Sequence, residues 1–255
     1  MQKIFSVLTM AIVFCILNVA SAAQISNKGY IEVEGVYYYE EGVSPNKAQR
    51  MAELLAYRKL AEEIGELRVD SETVMKNLED INDEVKVSVR KAISGARIVS
   101  STRDNDGNFH CVVRLNVFGG ENSLANVAVP KDLEQEDFPQ PKFITIDNKY
   151  TGLIVKCNGM EISTAIMPKI KSASDQEIYA PKYLNRQVIT GRGMVGYADD
   201  MDSDVRRAGA NPLIVEAMFI SGECDVVVSD EDADKILAAN KATNFLSNCM
   251  VIFVR

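Results

Sequence analysis

The chain has 255 residues, of which 47% are hydrophobic and 7% aromatic, with no tryptophan and a formal net charge of −8. This is a globular composition, and the acidic balance argues against nucleic-acid binding, which draws its strength from cationic contacts to phosphates. Adhesion to anionic lipid is disfavoured for the same reason.

The first residues, "MQKIFSVLTMAIVFCILNVASAAQ", carry one charge at Lys3, continue apolar from Ile4 to Val19, and close on the small residues Ala20, Ser21, Ala22 and Ala23. That layout predicts a secretory signal peptide over 1–23, cleaved at Ala22 and Ala23. The apolar run is shorter than the roughly 20 residues that span a bilayer. Cys15 follows Ile12, Val13 and Phe14, whereas a lipobox needs small residues there, so a lipid anchor is not expected. Without the leader the chain keeps 27 Lys and Arg against 36 Asp and Glu, a net charge of −9.

The expected fold class is α+β, in two small α/β domains over 24–120 and 149–255, with 121–148 as the linker. The first opens on "GYIEVEGVYYYE", whose Ile31, Val33, Tyr37 and Tyr39 alternate with polar residues as in a half-buried strand. Gly35 interrupts the apolar face and makes room for a crossing helix. Ser44 and Pro45 start that helix, and Ala48, Ala52, Leu55, Ala56, Leu60 and Ile64 form its stripe up to Gly65. "LRVDSETVM" alternates as a second strand. "NDEVKVSVRKAISG" reads as a helix stopped by Gly95, and "ARIVSSTRDNDGNFHCVVRLNVFG" as a hairpin turning at Asp104 to Gly107. The predicted order is β-α-β-(α)-β-β, a sheet with helices over one face.

The stretch 122–148 holds Pro130, Pro139, Pro141 and clustered acids without sustained periodicity, as a linker does. The second domain has strand-like runs at "TGLIVKC", "NPLIVEAMFIS" and "DVVVS". The last leads through a Ser229 and Asp232 capping pair into the helix "DEDADKILAANKATNFLSN" and then "CMVIFVR", predicting a mixed sheet that ends in β-α-β. If those two strands are neighbours, Cys224 and Cys249 lie close enough for a disulfide. The bland alternative for all four mature cysteines, with Cys111 and Cys157, is a buried reduced thiol.

"GRGMVG", residues 191–196, has the G-x-G-x-x-G spacing of a dinucleotide fingerprint, and Glu216 falls about 20 residues later. The context argues otherwise: "NRQVIT" before it is a poor buried strand, and Asp199, Asp200, Asp202 and Asp204 after it would repel a pyrophosphate. A glycine-rich turn is the better reading. "DMDSD" imitates the start of a calcium loop but has Val205 and Asn211 where the turn glycine and the bidentate glutamate belong. His110 is the only histidine, and a strand would turn neighbouring Cys111 to the opposite face. No catalytic residue, cofactor-binding residue, cofactor or metal ligand is therefore assigned.

"AQRMAELLAYRKLAEEIGELRVDSETVM" with "GARIVSSTRDNDGNFHCVVRLNV" resembles a family of bacterial exported proteins that includes a small outer-membrane-associated lipoprotein and the N-terminal region of flagellar assembly protein T, on Ala48, Ala52, Ala56, Gly95 and Gly107. The latter half, with "GMVGYA" and "RRAGANPLIVEA", resembles a domain that accompanies it in Gram-negative envelope proteins. The resemblance implies an envelope protein acting in surface or flagellar assembly. The expectation is a non-enzymatic, periplasmic or secreted interaction protein whose partners are envelope proteins. It would meet the membrane peripherally at most, without nucleic acid, and a homo-oligomer is compatible with it. The rival expectation is a periplasmic small-ligand-binding or hydrolytic protein using the carboxylates near Asp199 to Asp204.

Overall fold

A computed structural model describes residues 24–142, 144–146 and 148–255. The expected leader and its cleavage point at Ala22 and Ala23 lie outside the described residues. The fold is α+β in two domains.

In the first domain, strand β1 (Tyr30–Tyr37) points Ile31 and Val33 inward and Glu32 and Glu34 outward. Helix α1 (Pro45–Glu66) crosses that inner face through Ala48, Ala52, Ala56, Leu60 and Ile64. The small side chains set the distance. A Cβ added to Gly35 would stand 2.2 Å from the Ala56 amide nitrogen and 2.4 Å from the Ala52 carbonyl oxygen. Helix and strand thus meet backbone to backbone, and further along α1 the fully buried Leu60 and Ile64 each contribute about 1.5–3 kcal/mol by burial.

Two short helices follow, α2 (Met75–Ile81) and α3 (Asp83–Ser94). Asn82 caps the second by accepting the amides of Glu84 at 2.9 Å and Val85 at 3.4 Å. Strands β2 (Arg97–Arg103) and β3 (Phe109–Asn116) form the expected hairpin, closed where Asp104 Oδ1 accepts the amides of Asp106 and Asn108. The sheet is antiparallel in the order β1-β3-β2.

One expected strand is absent. Residues 67–75 make a tight turn with isolated bridges from Arg68 to Val74 and, across to the second domain, to Ala165, so the domain runs β-α-α-α-β-β. The cause is Asp70, whose Oδ1 accepts the amides of Glu72 and Thr73, both at 2.9 Å. That local capture withdraws the backbone from a ladder. Leu67 and Val69 are nonetheless buried, in the apolar cluster that runs through both domains.

The connector is more ordered than its prolines suggest. Ser123 caps helix α4 (Leu124–Ala128), which buries Leu124, Ala125 and Ala128. Five residues are too few to register as a helical period. Further on, the amides of Lys142 and Ile144 are held by the Asp234 carboxylate.

The second domain contains two four-stranded sheets. Strands β4 (Gly152–Lys156), β7 (Gly196–Ala198), β8 (Pro212–Glu216) and β11 (Val251–Val254) form a parallel sheet ordered β7-β11-β4-β8. Strands β5 (Ile170–Ser172), β6 (Glu177–Tyr179), β9 (Phe219–Ser221) and β10 (Asp225–Val228) form a mixed one ordered β6-β5-β10-β9. Helix α5 (Arg186–Arg192) precedes β7. The run "NPLIVEAMFIS" breaks at Ala217, giving one strand to each sheet.

Helix α6 (Asp230–Thr243) starts on the Ser229 hydroxyl, which accepts the Asp232 amide at 3.0 Å. It leads from β10 to β11, which lie in different sheets, so the expected β-α-β unit within one sheet does not form. The Cys224 and Cys249 pairing fails with it. All four cysteines among the described residues are buried free thiols.

Candidate functional site: the seam between the domains

"GRGMVG" is assembled in the reverse order from a dinucleotide fingerprint. Helix α5 enters it, Gly193 turns the chain at φ 80°, and β7 leaves from Gly196. The glycines meet the C-terminus of a helix, where carbonyls gather, rather than the N–H groups that hold phosphate. Those carbonyls are taken by Arg207, which donates to Arg192 O at 3.1 Å, to Cys249 O at 2.8 Å and to Gly193 O. Gly196 makes space for that arginine, since a Cβ there would stand 3.0 Å from Arg207 Cδ. Gly193 receives Phe118 from the end of the first domain, with ring atoms 2.8 Å from where a Cβ would be. The spacing encodes a packed turn.

The other singled-out residues also serve local structure. Asp200 accepts the amide and hydroxyl of Ser203 at 2.7 and 2.8 Å. Asp204 pairs with Arg206 at 2.7 Å, and these bonds hold its carboxyl down at about 2. Asp199 pairs with Arg255. His110 stands on the outer face of the first sheet with Nδ1 2.8 Å from Glu34 and Nε2 3.2 Å from Asp104, while Cys111 is buried on the opposite face. The bonds to Glu34 and then Asp104 raise the imidazole pKa above its ordinary value. Burial pushes the Cys157 thiol up to about 11 and raises Cys111, Cys224 and Cys249 likewise, which leaves little thiolate. Among the described residues no group of three or more His, Cys, Asp and Glu is placed to hold a metal ion, and no helix is long and apolar enough to cross a membrane.

What the structure does bring together is the seam between the domains. The 67–75 turn of the first domain docks on the second, with the Ile166 amide donating to Arg68 O at 3.1 Å and the Met167 amide to Val69 O at 2.7 Å. Arg68 pairs with Glu223 at 2.6 Å. A Cβ on Gly222 would stand 2.5 Å from Ser71 Cβ, so here too a glycine admits the other domain. At the start of the described chain, the Ile25 amide donates to Thr164 Oγ1 at 2.7 Å and Arg255 donates to Gln24 Oε1 at 2.7 Å. On another side of the seam, the Gly119 amide donates to Thr190 O at 2.9 Å, and Arg186 reaches the carbonyls of Asn126, Val129 and Pro130. One buried apolar cluster runs from Ile31 through Leu67, Val69 and Leu124 to Phe253.

Apart from Gly193 and the 67–75 segment, read as a turn and a strand, the seam residues are not singled out by sequence. The one usable signal was Asp70 ahead of Thr73, the spacing of a side-chain-closed turn. Nothing local distinguishes Arg186 or Arg207, whose partners lie 14 to 60 residues away along the chain. A comparison with curated proteins finds no match. A family model described as the second domain of Treponema pallidum Tp0624 matches residues 152–255, the parallel sheet, the mixed sheet and α6 together.

Proposed function

We propose that the protein is a non-enzymatic exported component of the cell envelope that works through protein–protein contacts, as an assembly factor of the surface or flagellum. The observation that carries this reading is where the polar side chains go. Arg207 holds a helix end, Arg68 and Arg186 hold the seam, and Asp200, Asp204 and His110 hold turns and strands. Side chains spent in this way hold a shape. A fixed two-domain shape is what a binding module presents to a partner.

The resemblance of the N-terminal half to exported envelope proteins, including the flagellar assembly member, supports the same reading, and the leader-like segment gives the route. The partners would be other envelope proteins, in the periplasm or outside the cell.

The test is mass spectrometry of the protein released from intact cells by osmotic shock, combined with photo-crosslinking in living cells from unnatural residues placed along the surface. The expected result is a chain starting at Gln24, crosslinked at a few adjacent positions to a defined envelope protein. A chain still beginning at Met1 in the cytosol would refute export. A saturable rise in melting temperature with a nucleotide, a metal ion or a small envelope metabolite would instead favour the ligand-binding alternative.

A further inference from the structure

Three cations meet on the seam with no carboxylate among them. The 26–30 turn at the start of the first domain carries Lys28, and the glycine turn of the second domain carries Arg192, whose carbonyl accepts from Arg207 at 3.1 Å. These residues line a cavity of about 340 Å³ with Ile25, Phe118 and Val195 as its apolar wall, and no aspartate or glutamate lines it.

The charges of these side chains are not answered elsewhere. Arg68, Arg206 and Arg255 each pair with a carboxylate. Among the described residues Arg207 bonds only to the neutral carbonyls of Arg192, Gly193 and Cys249, and Arg192 only to Asn248 O at 3.3 Å. A guanidinium has five N–H donors, so both arginines keep donors to spare. Burial lowers the pKa of Arg207, and the like charge of Arg192 adds to that effect. Asp204 is within electrostatic reach of Lys28, but its carboxylate is held by Arg206 at 2.7 Å.

We propose that this cavity is a site for a phosphate group, held between Lys28 of the first domain and Arg192 and Arg207 of the second. A dianion with several acceptor oxygens matches three cations, and the planar arginine fork suits it. The cavity is at the low end of the roughly 300–1,000 Å³ of ligand sites, a size for a small oxyanion rather than a dinucleotide. The phosphate meets side-chain cations here, not the backbone amides of a dinucleotide fingerprint, and Arg207 screens it from the carbonyls at the end of α5. The negative net charge of the chain does not forbid this, because exposed charges farther than about 8 Å are largely screened at physiological ionic strength. A phosphate that touches both domains binds only the docked form and so fastens the seam. The site uses none of the carboxylates on which the ligand-binding alternative rests, and crosslinking rather than this site decides the envelope-partner reading.

The test is the melting temperature of the purified protein as inorganic phosphate replaces chloride at constant ionic strength. A saturable rise of about 2–4 °C is expected in the wild type. Lys28→Gln and Arg192→Gln each remove a cation, one from either side of the seam, and each should lose most of that rise while keeping a cooperative transition in chloride. A parallel titration with glycerol 3-phosphate separates the sources: half-saturation at a lower concentration than phosphate supports a phosphate monoester as the ligand, and an equal or weaker effect supports the free anion. No rise in the wild type would overturn the site. So would a rise of the same size in both variants, which is the mark of general anion exclusion from the protein surface. Should R192Q not fold, K28Q decides alone, since Lys28 is exposed and its removal breaks no bond among the described residues.

Discussion

Gly35 and Gly193 both stand where another element needs the space of a side chain, but they admit different things. At Gly35 the intruder is the backbone of α1, with two main-chain atoms inside 2.5 Å of where a Cβ would be. At Gly193 it is the edge of the Phe118 ring, arriving from the other domain. A helix cannot retreat from one residue without lifting its whole stripe of alanines off the sheet. A half-buried ring can rotate or slide. The first contact is therefore expected to decide whether a domain forms, and the second how firmly two formed domains hold together.

Gly35→Val is the strongest way to test that contrast. It should cost about 3 kcal/mol or more, seen as loss of the first domain's share of the unfolding heat, because no rotamer avoids main-chain atoms. An unchanged melting profile would mean that helix and sheet can separate freely. Arg207→Met comes next. It leaves the carbonyls of Arg192, Gly193 and Cys249 without their donor, for a loss of about 2–3 kcal/mol. A fall in the urea midpoint at constant slope is expected, and an unaltered midpoint would show that water replaces the guanidinium.

Gly222→Ala probes the seam alone, since the new methyl would meet Ser71 and the residue sits at φ 54°. A cost of about 1–2 kcal/mol is expected, as a split of the unfolding transition into two by calorimetry with neither domain lost. A single transition shifted as a whole would place Gly222 within one cooperative unit with both domains.

These differences in contact explain what could be read from the chain. The alanine stripe of α1, the Gly35 gap and the hairpin at Asp104 were legible because each is written in residues adjacent in sequence or at a fixed period. The 67–75 segment alternates like a strand because Leu67 and Val69 are buried, but its backbone closes on itself at Asp70 and docks on the second domain instead of joining a neighbouring strand. The β10-α6-β11 run kept its elements and lost its pairing, because nothing in two apolar strands says which of two sheets each will join. Had Cys224 and Cys249 been bonded, an Ellman-type assay of residues 24–255 in denaturant would find two thiols. Four are expected, with essentially none reactive before unfolding.

The smallest effect separates the outer face of the first sheet from everything beneath it. His110 gains partners in Glu34 and Asp104 on folding, so its pKa is higher in the folded chain than in the unfolded one. The stabilisation is then fully present below the ordinary histidine value of about 6.5 and disappears as pH rises through the folded value. His110→Gln should lower the melting temperature slightly at pH 5 to 6 and leave it unchanged well above neutrality. Because Cys111 and its neighbours on the buried face carry no such charge, a difference that persisted at alkaline pH would mean that the ring stabilises the sheet by packing, and that the two faces of β3 are less distinct than their burial suggests.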